Sequence, residues 1–151
     1  MARIQTSRVI SKKYSPDRHI AMTPIDWALR PLRTFTDFRS RSPRSEYWWY
    51  IAMWAVLFGI AQAIDYLTGT SPMPPQPGYV TWALCIFFLL PSVSVSVRRL
   101  HDVGRSGWYL LWYLVPLLGT IVVFLELIAT GSYGPNRYGP DPLSSRQQLR
   151  I

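Results

Sequence analysis

YWWYIAMWAVLFGIAQAIDYL, residues 47–67, runs for 21 positions with a single charged side chain, Asp65, close to its end. A helix rising about 1.5 Å per residue needs roughly 20 residues to cross some 30 Å of hydrocarbon. The stretch has that length, and its reading as a membrane span decides the fold. Two further apolar blocks follow, YVTWALCIFFLLPSVSVSV at 79–97 and Trp108 to Ala129. Backbone polar groups in lipid are satisfied only in helices or closed barrels, and three unbroken blocks are too few and too long for a barrel. The expectation is therefore an all-α integral membrane protein with three transmembrane helices, at about 47–67, 79–97 and 108–129. A polar segment of 46 residues precedes the first block, which argues against a cleaved signal peptide.

Composition agrees. The chain has 151 residues, enough for one domain. It is 49% hydrophobic and 15% aromatic but only 16% charged, where soluble domains carry roughly a quarter. Three regions are expected: a basic N-terminal arm over 1–22, a helical membrane domain over 23–142 and a C-terminal tail over 143–151. The net charge of +8 raises the question of nucleic acid. The positions of the charges favour membrane topology instead, because ten of the sixteen basic residues precede the first block. No nucleic-acid partner is expected. Cys85 stands alone inside an apolar block and reads as a small buried hydrophobe.

Lys and Arg accumulate on cytoplasmic flanks. The N-terminal segment, with Arg30, Arg33, Arg39, Arg41 and Arg44 as its last five basic residues, should face the cytoplasm. The loop TGTSPMPPQPG (68–78) has no basic residue and should face the far side. Arg98, Arg99 and Arg105 bring the second loop back to the cytoplasm. The tail breaks the pattern: three spans would leave it outside, yet it carries Arg137, Arg146 and Arg150. Pro116 and Gly119 in LVPLLG offer the alternative of a re-entrant hairpin with arms 108–115 and 120–129, each reaching about half depth.

Ahead of the first span, 23–38 reads as an in-plane amphipathic helix. Thr23 is placed to cap it, Pro24 suits its first position and Asp26 that of a capping-box carboxylate. Ile25, Ala28, Leu29, Leu32 and Phe35 share a face, directed at lipid or at protein.

Chemistry concentrates in RRLHDVGRSGW, 98–108. His101 and Asp102 are adjacent, so on a helix they point about 100° apart and do not form an oriented base. No nucleophile or metal-spaced cluster accompanies them, so no catalysis, metal or cofactor is expected. Arg39, Arg41, Arg44 and Glu46 lie at the same depth as Arg98, Arg99, His101, Asp102 and Arg105. These nine residues can bind a lipid headgroup or a partner, or pair among themselves as an internal clasp. Asp65 and Glu126 are candidate ion or proton sites, each 18 residues into its block and so level at the outer interface in a three-span arrangement. Ala55, Gly59 and Ala63, with Ser92 and Ser96, repeat at the four-residue spacing of close helix packing.

FRSRSPRSEYWW (38–49), RRLHDVGRSGWYLL (98–111), LVPLLG (114–119) and GPNRYGPDP (134–142), in this order around the apolar blocks, resemble the domain of unknown function 805 family of small bacterial inner-membrane proteins. The resemblance covers about 32–142. Its pattern marks Arg39, Arg41, Arg44, Glu46, Tyr47 and Trp48, then Arg98 to Asp102 and Gly104 to Trp108, then Asn136, Arg137, Gly139, Asp141 and Pro142. It implies fold and inner-membrane location without implying an activity. The expected role is a non-catalytic structural or adaptor subunit with its N-terminus in the cytoplasm. Its expected partners are anionic lipid headgroups and another integral membrane protein or a second copy. A small transporter using Asp65 or Glu126 is the alternative.

Overall fold

The computed structural model describes residues 22–71 and 76–143, which are helical or connecting, with no strand among them. The basic arm to residue 21 with His19, loop residues 72–75, and the tail from 144 with Arg146 and Arg150 lie outside the described residues.

Helix α1 is Pro24–Arg33. Thr23 and Asp26 form the expected capping box, the Thr23 hydroxyl accepting from the Asp26 N–H while Asp26 accepts from the Thr23 N–H. The Thr23 side chain and backbone bonds hold the Asp26 carboxyl below its ordinary value. The helix ends at Arg33, with Thr34 as its C-cap, five residues short of the expected end, and Pro31 sits inside it. Its buried residues are Trp27, Ala28 and Pro31, whereas Ile25 and Phe35 of the expected apolar face are exposed. Trp27 lies on the inward side of the helix, and α1 packs mainly along α2.

Helices α2 (Arg44–Leu67) and α3 (Tyr79–Asp102) have 24 residues each and are both long and apolar enough to cross a membrane. They run antiparallel. Near one end the Tyr50 hydroxyl meets the Ser92 hydroxyl at 2.8 Å; at the other, the N–H groups of Val80 and Thr81 reach Asp65. The shared apolar core is small: Tyr47, Tyr50, Phe88, Val95 and Leu100, joined by Val123 and Leu127. Around it, Trp82, Ile86, Phe87 and Leu89 are more than half exposed, while Glu46, Asp65 and Arg99 are fully buried. That inversion suits a hydrocarbon surrounding, where apolar surface needs no burial and charge does.

Two expectations about the spans are corrected. Helix α3 continues five residues beyond Val97, which carries Arg98, Arg99, His101 and Asp102 on its last turns rather than in a loop. The loop is short because Gly104, at φ +79°, takes a left-handed conformation and lets the Arg105 N–H reach the Leu100 carbonyl at 2.8 Å.

The third apolar block, expected as a span over 108–129, is not one helix. A 3₁₀ segment, Gly107–Leu114, gives way at Pro116 and Leu117 (φ 64°) to α4, Leu118–Ile128. At about 2.0 and 1.5 Å per residue, each arm reaches some 16 Å, half the hydrocarbon thickness. The arms fold against each other so closely that a Cβ on Gly119 would stand 1.6 Å from the Trp112 carbonyl oxygen. Arg99 then hydrogen-bonds the carbonyl oxygens of Leu127 and Ala129, returning the end of α4 to the end of α3. The block enters and leaves at the same end of the helix pair. Proline removes a helix-continuing N–H, and buried arginine donors draw the last carbonyls back.

Gly59, Ala55 and Ala63 lie on the outer face of α2, with nothing within 4 Å of a Cβ built at Gly59. They do not pack on this chain's own helices, whereas Ser92 does. Gly119→Ala should therefore destabilise the protein by about 1–3 kcal/mol through overpacking, and Gly59→Ala should not. Thermal unfolding of both variants in detergent checks this.

Candidate functional site

At the shared end of α2, α3 and α4 the arginine motifs converge on Asp102. Arg41, from the segment before α2, donates from Nε to Asp102 Oδ1 at 3.0 Å, and Arg99 donates from Nη1 to Oδ2 at 2.5 Å. All three residues are buried. The remaining arginine donors are also used: Arg41 donates to the carbonyls of Ser132, at 2.6 Å, and Gly134, at 2.7 Å, and Arg99 to the end of α4. Burying charge costs less when the partners are paired and fully hydrogen-bonded, and this trio meets that condition.

The segment after α4 closes over the trio. The Ser132 N–H and hydroxyl both donate to the Asp102 carbonyl, at 2.8 and 3.0 Å. Gly131 passes so near that a Cβ there would lie 2.1 Å from Asp102 Oδ2. In GPNRYGPDP, Asn136 and Gly139 exchange backbone hydrogen bonds at 3.0 Å. The Asn136 amide donates to the His101 carbonyl, and the Tyr138 ring stacks on His101 with centroids 3.8 Å apart. Asp141 accepts from the N–H groups of Gly134 and Leu143. His101 and Asp102 thus face different partners.

A second buried pair lies alongside. Arg98 donates to Glu46 at 2.6 Å, and Arg30 of α1 stands 3.2 Å from the other Glu46 oxygen. Ahead of α2, Asp37 accepts from the N–H groups of Arg39 and Ser40 and from the Ser40 hydroxyl, while its carbonyl and that of Thr34 accept from the Ser94 hydroxyl. Partial burial pushes the Asp37 carboxyl up, but these three bonds outweigh it and hold it below its ordinary value.

Of the nine residues expected at this end, Arg41, Glu46, Arg98, Arg99, His101 and Asp102 are buried and face one another or their neighbours in the chain. Arg39, Arg44 and Arg105 are exposed. Arg105 pairs with Glu126 at 2.9 Å, and Arg44 donates from Nε to the Ala129 carbonyl at 3.1 Å. Asp65 is at the opposite end, where it accepts from the N–H groups of Val80 and Thr81 and from the Thr70 hydroxyl. It acts as a distant cap on α3, whose own start at Gly78 has no side-chain cap. The expectation that Asp65 and Glu126 share a level is corrected: the hairpin of the third block brings Glu126 back to the arginine end. Sequence reasoning missed Arg30, Gly131 and Ser132, since none had a visible partner in the linear chain. No group of three or more His, Cys, Asp and Glu suited to a metal occurs among the described residues.

A family model described as protein of unknown function (DUF805) matches residues 35–140, the span that holds nearly all of these contacts. The chain is 34% identical over 118 residues to inner membrane protein YhaH of Escherichia coli K12, covering 78% of this chain and 97% of that one. It is 32% identical over 118 residues to inner membrane protein YhaI of the same strain, covering 78% and 96%. Uncharacterized protein YiiR, also of that strain, is 31% identical over 134 residues, covering 69% and 84%. No solved structure matches the chain.

Asp102→Ala would leave Arg41 and Arg99 buried without their shared counter-charge, and the expected loss is about 3–5 kcal/mol. Arg105→Gln breaks a half-exposed pair and should cost no more than about 1 kcal/mol. Chemical unfolding of the two variants in the same detergent compares them.

Proposed function

The chain belongs to the DUF805 family, and from that premise we propose that it is a non-catalytic structural adaptor of the bacterial inner membrane, with both ends of its described portion in the cytoplasm. The observation that carries this reading is how the ionisable groups are used. Glu46, Asp65 and Asp102 are buried and each is bonded to groups of the same chain, so the acids nearest the helices act as braces. What the molecule offers outward is apolar surface around a small core, together with exposed Arg33, Arg39, Arg44, Arg105 and Arg137 at one end. A brace of this kind holds a fixed shape against a larger integral membrane protein. The alternative, a small transporter using Asp65 or Glu126, would have to work through an acid already engaged, Asp65 by the start of α3 and Glu126 by Arg105.

The orientation follows from the basic residues at the end where α2 begins and α3 and α4 finish. In a Cys85→Ser background, Arg39→Cys and Tyr133→Cys should be protected from a membrane-impermeant maleimide in intact spheroplasts, and Ser71→Cys should be labelled. Labelling of Tyr133→Cys together with Ser71→Cys would restore a full third span.

Affinity purification from gently solubilised native membranes tests the adaptor role. A larger inner-membrane protein should come out with the chain in fixed stoichiometry. A chain that emerges with lipid and no protein would overturn the reading.

A further inference from the structure

Beside the clasp a cleft of about 330 Å³ opens between the start of α2 and the segment after α4, with Arg44, Ser45, Thr130, Tyr133 and Asp141 on its walls. Arg44 uses only Nε, on the Ala129 carbonyl, which leaves its two terminal nitrogens without a partner among the described residues. Two carboxylates reach the cleft and neither is free: Asp102 is held by Arg41 and Arg99, and Asp141 by two backbone N–H groups. Asp141 keeps its charge but has its oxygens turned to those N–H groups, so among the lining residues Arg44 is the cation with open donors, and the hydroxyl-bearing Ser45 and Thr130 line the same cleft.

Directly beyond Arg44 and Ser45 on the same face of α2 come Trp48, Ala52, Ala55, Gly59 and Ala63, at the three- and four-residue spacing of one helix face. All five are exposed. From Trp48 to Gly59 is about 16 Å along the helix, the depth of one leaflet. Beyond Trp48 the side chains of this face are small, which leaves an open apolar strip along Ala52, Ala55, Gly59 and Ala63 with the cleft at its polar end.

We propose that this cleft and strip form a binding site for one anionic phospholipid, its phosphate on Arg44 and the Ser45 and Thr130 hydroxyls and an acyl chain along Ala52, Ala55 and Gly59. Charge complementarity selects the occupant. A guanidinium with two free terminal nitrogens matches a phosphate in bidentate geometry, and the continuous apolar strip accounts for the rest of an amphiphile. The proposal rests on the membrane setting adopted above but not on a protein partner.

The test uses the full chain purified in mild detergent from membranes containing phosphatidylglycerol and phosphatidylethanolamine, with retained lipid quantified by mass spectrometry. The unmodified chain should be enriched in phosphatidylglycerol. Arg44→Gln should lower that enrichment about fivefold, the worth of one arginine at an anionic surface. Arg39→Gln, an exposed arginine away from the cleft, should leave it unchanged. Ala55→Leu with Gly59→Leu, which fills open space on the outer face and spares the clasp, should also lower it. Equal retention by Arg44→Gln and the leucine variant, or an equal loss with Arg39→Gln, would overturn the site. So would protection of Arg44 from phenylglyoxal by inorganic phosphate as full as that given by phosphatidylglycerol vesicles, which would assign the cleft to a free anion. Loss of a co-purifying protein without loss of lipid in the leucine variant would assign the strip to a partner helix instead.

Discussion

The buried carboxylate of Asp102, shared between the guanidinium groups of Arg41 and Arg99, ties together parts of the chain that otherwise have little reason to meet. Arg41 belongs to the segment before the first long helix, Asp102 to the last turn of the second, and Arg99 carries the bond network on to the end of α4. Each side chain is desolvated, so each bond must be made in good geometry or the whole group becomes costly. That demand fixes relative positions more sharply than apolar contact does, because apolar packing between helices in lipid lacks the drive that water supplies. The close pass of Gly131 over Asp102 belongs to the same constraint, since any larger residue would occupy the space of the carboxylate.

The two ends of the helix pair solve one problem in different ways. At the arginine end, cations from three segments surround Glu46 and Asp102, and backbone carbonyls take up the remaining donors of Arg41 and Arg99. At the far end a single acid, Asp65, satisfies the first N–H groups of α3 across the hairpin. Gly78 is small enough to admit it: a Cβ there would stand 2.5 Å from the Asp65 carboxyl carbon. A carboxylate is favoured at a helix N-terminus and arginines near helix C-termini. α3 has the first arrangement at its start, and α3 and α4 the second at their ends. The apolar residues between have almost no interior to fill, and most of them form the outer surface.

Much of this was legible in the linear chain. The α1 capping box, the two long apolar helices and the separate directions of His101 and Asp102 follow from composition and from neighbours within four residues, where local geometry suffices. The four arginine-rich and glycine-rich motifs were recognisable as a set, but their pairing was not. Arg30 with Glu46, and Arg41 with Ser132 and Gly134, are contacts between residues 16 to 93 positions apart. No periodicity or spacing encodes such contacts.

The third apolar block marks the boundary between the two kinds of information. Hydropathy and length marked residues 108–129 as a third apolar block, and Pro116 with Gly119 showed that a break was available. Whether the chain used it depended on where the last carbonyls of the block could be satisfied. Arg99, fixed in place by Asp102, supplies those donors at the end from which the block set out. Composition therefore determined that the chain is built from apolar helices. The tertiary arrangement of a few buried charges decided which of them run the full length of the helix pair and which turn back, because only in three dimensions do those charges acquire partners.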